Sequence, residues 1–102
     1  MPYIYIAQMD IPPEHEALFN RLYDEEHVPG ILEVPGVLAC QRYVLEETKI
    51  QGLPKYAAIY SIAAPDVIHK PEWRAAADRG EWKPKIRPHT TNRIHAVYRT
   101  IP

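Results

Sequence analysis

Cysteine occurs once in these 102 residues, phenylalanine once and glycine four times. The single thiol, Cys40, leaves no internal disulfide to form and fits a reducing compartment. Neither sign of charge dominates: 12 Lys and Arg stand against 13 Asp and Glu, a formal net charge of −1. Such a balance offers no basic field for nucleic acid or an anionic membrane, so neither partner is expected. No run approaches the roughly 20 apolar residues of a membrane span. The start, MPYIYIAQMD, lacks the positive residues and apolar length of a signal peptide. There is no Gly-rich phosphate loop, no Cys pair and no Gly-x-Ser-x-Gly elbow, which removes nucleotide, zinc and serine-hydrolase readings. His69, His89 and His95 show no metal spacing with carboxylates or cysteine, so neither a metal nor a cofactor is expected. With 46% hydrophobic and 25% charged residues, the chain reads as one cytoplasmic-type domain over 1–102.

What is present is a stretch of 25 residues, 19–43, reading FNRLYDEEHVPGILEVPGVLACQRY. Its beginning has the 3.6-residue period of an amphipathic helix, and its end alternates like a strand. Between them lie Pro29-Gly30 and Pro35-Gly36, both turn signals. Because the residue before proline is pushed out of the helical region, the helix is expected to stop at His27 or Val28. That places Tyr23-Asp24-Glu25-Glu26-His27, the densest titratable cluster, at a helix end.

Along the chain, Tyr3–Met9 reads as a strand, and Pro13 with Glu14 and Glu16 opens the first helix. Leu18, Leu22, His15, Glu26, Phe19 and Tyr23 share one arc of that helix. Residues 37–46 alternate as a second strand, and Tyr56–Ile62 is a near-continuous apolar run suited to the centre of a sheet. These two form a hairpin with a long polar connection. Pro65 and Asp66 open a second helical region that Pro71 interrupts, with a restart over 73–79 closed by Gly80. Pro84 and Pro88 forbid long regular structure over 81–89. Residues 91–101 make the last strand.

The order β-α-β-β-α-β is the ferredoxin-like α+β arrangement, with a four-stranded antiparallel sheet. Helices cover one face of such a sheet. The other would carry Ile, Val and Tyr side chains, too apolar for water, so a homodimer packed sheet to sheet is expected.

The run Leu22-Tyr23-Asp24-Glu25-Glu26-His27-Val28-Pro29, then Val34-Pro35-Gly36-Val37 and Arg42-Tyr43, resembles the signature of small dimeric α/β-barrel proteins of the EthD-like group. Trp73 and Trp82 resemble aromatic positions in their second helical region, while Leu22 departs from the tryptophan often found there. That group includes lyases, cyclases, isomerases, cofactor-free oxygenases and members of no known activity. The likeness therefore implies a fold more firmly than a reaction.

His27 reads two ways, as a general acid or base near its ordinary pKa or as a helix cap bonding terminal carbonyls. Tyr23, one turn earlier, either hydrogen-bonds a substrate carbonyl or serves as a core aromatic with a polar tip. Glu26 on the buried arc needs a cation or a proton; it could orient His27, but Arg42 is the expected partner, with substrate carboxylate binding as the other possible role of Arg42. Phe19, Tyr60, Trp73 and Trp82 are candidate walls of an apolar pocket, the tryptophans otherwise fixing the proline-broken segment to the sheet. His15 is expected to be solvated.

The reaction expected is proton abstraction beside a carbonyl of a hydrophobic or aromatic compound, leading to elimination, cyclisation or isomerisation. His27 would move the proton, and Tyr23 or another pocket tyrosine would stabilise the enolate. The alternative is a non-catalytic small-molecule-binding or accessory protein of a degradation or biosynthesis pathway. A haem- or oxygen-using relative is a third reading, for which no axial ligand set stands out.

Overall fold

The computed structural model describes residues 2–102. Strands β1 (Tyr3–Asp10), β2 (Val37–Val44), β3 (Tyr56–Ile62) and β4 (Thr91–Arg99) form one antiparallel sheet in the order β2-β3-β1-β4. The central strand β3 is the richest in apolar residues, as burial on both sides requires. Helix α1 spans Pro13–Leu22, α2 Val28–Leu32, α3 Pro71–Asp78 and α4 Trp82–Lys85. Short 3₁₀ turns cover Pro65–His69 and Arg87–His89. This is the expected ferredoxin-like α+β fold, and its strand bounds agree with the sequence reading to within two residues or so.

Strand register decides which residues face the helices. Tyr5 pairs with Tyr60 and with Val97, and Ala7 pairs with Ala58 and with His95. Those side chains, together with Met9 and Ile62, turn towards the helices. Phe19, Leu22, Tyr23, Ile31, Trp73, Trp82 and Ile86 close over them as one buried core. On the opposite face, Ile4, Ile6 and Ile59 alternate with the core positions, and Tyr43, Ile94 and Tyr98 stand in the open, each 43–58% exposed.

The first helix does not stop at Val28. Residues Tyr23–His27 form a single π-turn, in which the Val28 N–H bonds the Tyr23 carbonyl, and α2 then carries the helix to Leu32. Two observations explain how Pro29 is accommodated. Pro29 falls in the first turn of α2, where its missing N–H costs nothing. The wider π-turn before it also shifts the carbonyls with which its ring would collide in a regular helix. His27 is therefore an internal residue of a continuous helical run, and the cap is Glu33.

Two glycines are required by close approach. At Gly36, with φ +93°, a Cβ would lie 2.6 Å from Val67 Cγ2; at Gly80, with φ +74°, it would lie 2.5 Å from the Glu26 carboxyl carbon. The second approach locks the turn after α3 onto the π-turn. No helix among the described residues is long and apolar enough to cross a membrane.

Candidate functional site

A cavity of about 350 Å³ lies between the sheet and the helical layer. Tyr5, Ala7 and Met9 of β1, Tyr60 of β3 and His95 of β4 supply the sheet side. Tyr23 and His27 enter from the π-turn, Trp73 and Ala77 from α3, and Trp82 from α4. The sequence built this from ordinary alternation on the strands and one irregular helical turn. π-Turns inserted in helices recur at functional sites because they re-aim side chains that an α-helix would stack.

His27 is the central group. Its ring meets Tyr23 edge-on with centroids 5.1 Å apart and stacks on Trp82 at 4.6 Å. Nδ1 is buried and has no hydrogen-bond partner among the described residues. Burial, helped by the positive charge of Arg87, pushes the imidazole pKa down to about 4. His27 is thus neutral at pH 7. The helix-capping reading fails, since the helix runs on past His27 and the ring faces aromatic walls rather than terminal carbonyls.

Burial pushes the Tyr23 phenol up to about 12, opposed by the neighbouring Tyr60 hydroxyl. Burial also holds Tyr60 well above its ordinary value. Both phenols therefore keep their protons and can donate hydrogen bonds. A neutral imidazole and protonated phenols in one cavity make a base and oxyanion donors available together.

Of the residues singled out from sequence, Tyr23, His27, Tyr60, Trp73 and Trp82 line this cavity. Phe19 and Arg42 do not. Phe19 is wholly buried behind Tyr23, with rings 5.4 Å apart. Arg42 sits in a separate, shallower depression with Asn20, Asp24 and Tyr56.

The expected Glu26–Arg42 pair is replaced by two others. Arg42 donates to Asp24 Oδ1 at 2.8 Å and to Asn20 Oδ1 at 2.7 Å. Glu26 accepts the Trp82 backbone N–H at 2.9 Å. The cause is the π-turn: five residues in a widened turn rotate Asp24 towards β2 and Glu26 towards α4, a phase that a regular 100° spacing does not give. Glu26 is thereby the acceptor that fixes the start of α4, and with it Trp82, against His27.

Sequence reading missed Tyr5, Arg74, Arg87, Arg93 and His95 as cavity residues. His95 has no metal spacing, but alternation on β4 puts Arg93, His95 and Val97 on one face, and that is the signal that points to it. Arg87 lies among prolines, where no periodicity exists to read. His15, expected in solvent, instead stacks on His89 with centroids 3.8 Å apart, because the turn after α4 returns to the start of α1.

No family model matches the chain, and no protein of curated function does. Solved structures share its fold. An EthD family protein of Bacillus halodurans superposes with a TM-score of 0.67 at 14% identity, covering 99% of this chain and 100% of that one. The haem degrader MhuD of Mycobacterium tuberculosis, with two haems in its active site, gives 0.63 at 17% identity over 99% and 97% of the chains. SnoaB, a cofactor-independent oxygenase of Streptomyces nogalater, gives 0.56 at 16% identity over 96% and 91%. The resemblance to the EthD-like group thus holds at the level of the ferredoxin-like fold. That fold serves small enzymes and small-molecule binders alike.

Proposed function

We propose that this protein is a small cofactor-independent enzyme that moves a proton on a hydrophobic, aromatic carbonyl compound. The observation that carries the reading is the neutral, buried His27 in an aromatic cavity, with Nδ1 unpartnered. Since Nδ1 is buried, a ligand would meet the ring through Nε2. The imidazole takes the proton from carbon beside the carbonyl, and the Tyr23 hydroxyl, itself backed by the Tyr60 hydroxyl, donates to the oxygen on which negative charge develops. A base of pKa about 4 is weak in the empty cavity. Charge developing on the substrate beside it favours the imidazolium and raises its basicity as the reaction proceeds. The enolate then eliminates, cyclises or is reprotonated elsewhere. Capture by dioxygen is the outcome to which the fold's likeness to a cofactor-independent oxygenase lends support.

One observation favours a second reading, that of a non-catalytic small-molecule carrier. No carboxylate orients His27, because Glu26 is engaged by the Trp82 N–H. Deuterium exchange separates the two. In D₂O the wild type is expected to label the carbon beside the carbonyl of aryl ketones, and His27→Ala to slow labelling by about 10²–10⁴-fold. Full exchange in the variant would end the catalytic assignment; binding by the wild type without exchange would establish the carrier.

The open face of the sheet supports a homodimer as the working form. Ile94 and Tyr98 on the edge strand, with Ile4 and Ile6 beside them, form an apolar surface that a two-fold partner would cover. Light scattering is expected to give twice the chain mass, and Ile94→Asp to halve it. A wild-type monomer at micromolar concentration would overturn this assembly.

A further inference from the structure

We propose that Arg93 is the anion-recognition group of the cavity and that the ligand it selects is an aromatic carboxylate. The inference rests on the cavity being a small-molecule site, as above, and names the class of molecule.

Among the described residues, the cavity lining carries three arginines, Arg74, Arg87 and Arg93, and no carboxylate. The nearest acid, Asp78, is shared among three cations. It accepts from Arg87 at 2.6 Å and lies 3.5 Å from Lys83 Nζ and 3.6 Å from Arg74. Arg87 is further held by the Ala77 carbonyl, so its fork is used within the protein. Arg93 makes no ion pair or hydrogen bond among the described residues. Arg74 has only the 3.6 Å contact with Asp78 and Arg93 has none, so Arg93 is the guanidinium of the three with a wholly unfilled fork, a shape that fits a carboxylate with two parallel bonds.

The backbone around Arg93 is built to present it. Between the pairs Gln8–Ile94 and Asp10–Thr91, β1 has one residue where β4 has two, Asn92 and Arg93. This is a β-bulge, a device that re-aims side chains beside binding sites. Asn92 takes a left-handed φ of 51° there. Its side-chain amide holds that conformation by donating to Asp10 Oδ2 at 3.0 Å and to the Gly52 carbonyl at 2.7 Å. A non-glycine residue kept left-handed by two long-range bonds costs backbone energy, which a plain strand end would not require.

Beside the guanidinium, the walls are aromatic. Tyr5 packs edge-on against Trp73 at 5.3 Å and against His95 at 5.9 Å. The charges of Arg93 and Arg74 both bear on the Tyr5 hydroxyl. A flat apolar ligand would therefore lie against Tyr5 and Trp73, with its carboxylate on Arg93 and its reactive end towards His27. The volume suits a compound of one or two rings.

The test is isothermal titration with 2-naphthoate and its neutral isostere 2-naphthamide. Wild type is expected to bind the acid about tenfold or more tightly than the amide, with the difference shrinking at high salt. Arg93→Gln is expected to erase that preference while amide affinity stays the same, and Arg93→Lys, which keeps charge but loses the fork, to retain part of it. Equal affinity of wild type for acid and amide overturns the proposal, as does no binding of the acid at millimolar concentration. An Arg93→Gln variant that still prefers the acid also overturns it; if that variant fails to fold, an Arg93→Lys variant with the full wild-type preference does so instead. A failed deuterium-exchange assay with the acid preference intact would leave a carrier of aromatic acids, so the two readings fail separately.

Discussion

The Tyr23 ring has two neighbourhoods. Over it lies Arg42, its guanidinium carbon 4.4 Å from the ring centroid and its nitrogens bonded to Asp24 and Asn20. Around its other contacts stand His27 and Trp82, where the imidazole nitrogen Nδ1 has no partner among the described residues. Both regions are built from the same five-residue π-turn. In the first, each polar group is answered within the protein, which is how a fold spends polar groups on its own stability. In the second, a buried nitrogen goes unanswered on a ring whose other face lines the cavity, a cost that folding alone does not require. Completeness of pairing separates the structural side of this helix from the side that can act on a ligand.

Perturbations of the two sides should differ accordingly. The largest effect is the loss of about 10²–10⁴-fold in proton transfer expected for His27→Ala, with the Arg42→Ala variant retaining exchange near the wild-type rate. Comparable losses from both would show that the two regions are not distinct.

Next in size is a pH effect. The unfolded imidazole binds a proton near its ordinary pKa of 6.5, whereas the folded one does so only at about 4. The unfolded state thus holds more protons across that window, and stability falls as the pH drops through it, by at most about 3 kcal/mol. Urea midpoints at pH 7.5 and 4.5, followed by tryptophan fluorescence, should show this fall in wild type and a smaller one in His27→Phe. Identical pH profiles would place the imidazole in contact with water.

The Glu26 contact should sit between the extremes. Glu26→Ala leaves the Trp82 N–H without its acceptor, and Gly80→Ala forces a side chain against the same carboxylate at a left-handed φ. Each should cost about 1–2 kcal/mol in a denaturant titration. His27 depends on Trp82 for its stacking, so both variants should also weaken binding of 2-naphthoate. A loss of stability with unchanged binding would separate the Glu26 bond from the cavity.

The smallest effect is expected from Asp24→Ala. Its carboxylate is 65% exposed, and an ion pair of that kind contributes under about 1 kcal/mol. Arg42→Ala should cost somewhat more, because the stacking on Tyr23 goes as well. A cost above about 3 kcal/mol for Asp24→Ala would mean that this side too holds a buried charge.

Element order, strand faces and the aromatic character of the site are legible in the residues alone. Alternation on β1 and β3, proline at the helix starts and the apolar run of β3 are local signals, and local signals survive without knowing the partners. Tyr23, His27, Tyr60, Trp73 and Trp82 were legible for the same reason, as aromatic or titratable residues on core-facing positions. Tertiary structure alone decided the partners. Proline rules stop a regular helix at Val28, yet packing against α3 and α4 sustains a π-turn instead, and this one extra residue in a turn sent Glu26 to Trp82 and Asp24 to Arg42. The arginines of the cavity were equally out of reach. Whether Arg93 meets an acid or stands open depends on Asp78 being drawn to Arg87, and on a bulge whose second strand lies more than eighty residues away in sequence. Periodicity fixes which way a side chain faces; the charge that waits for it there is settled only when distant segments meet.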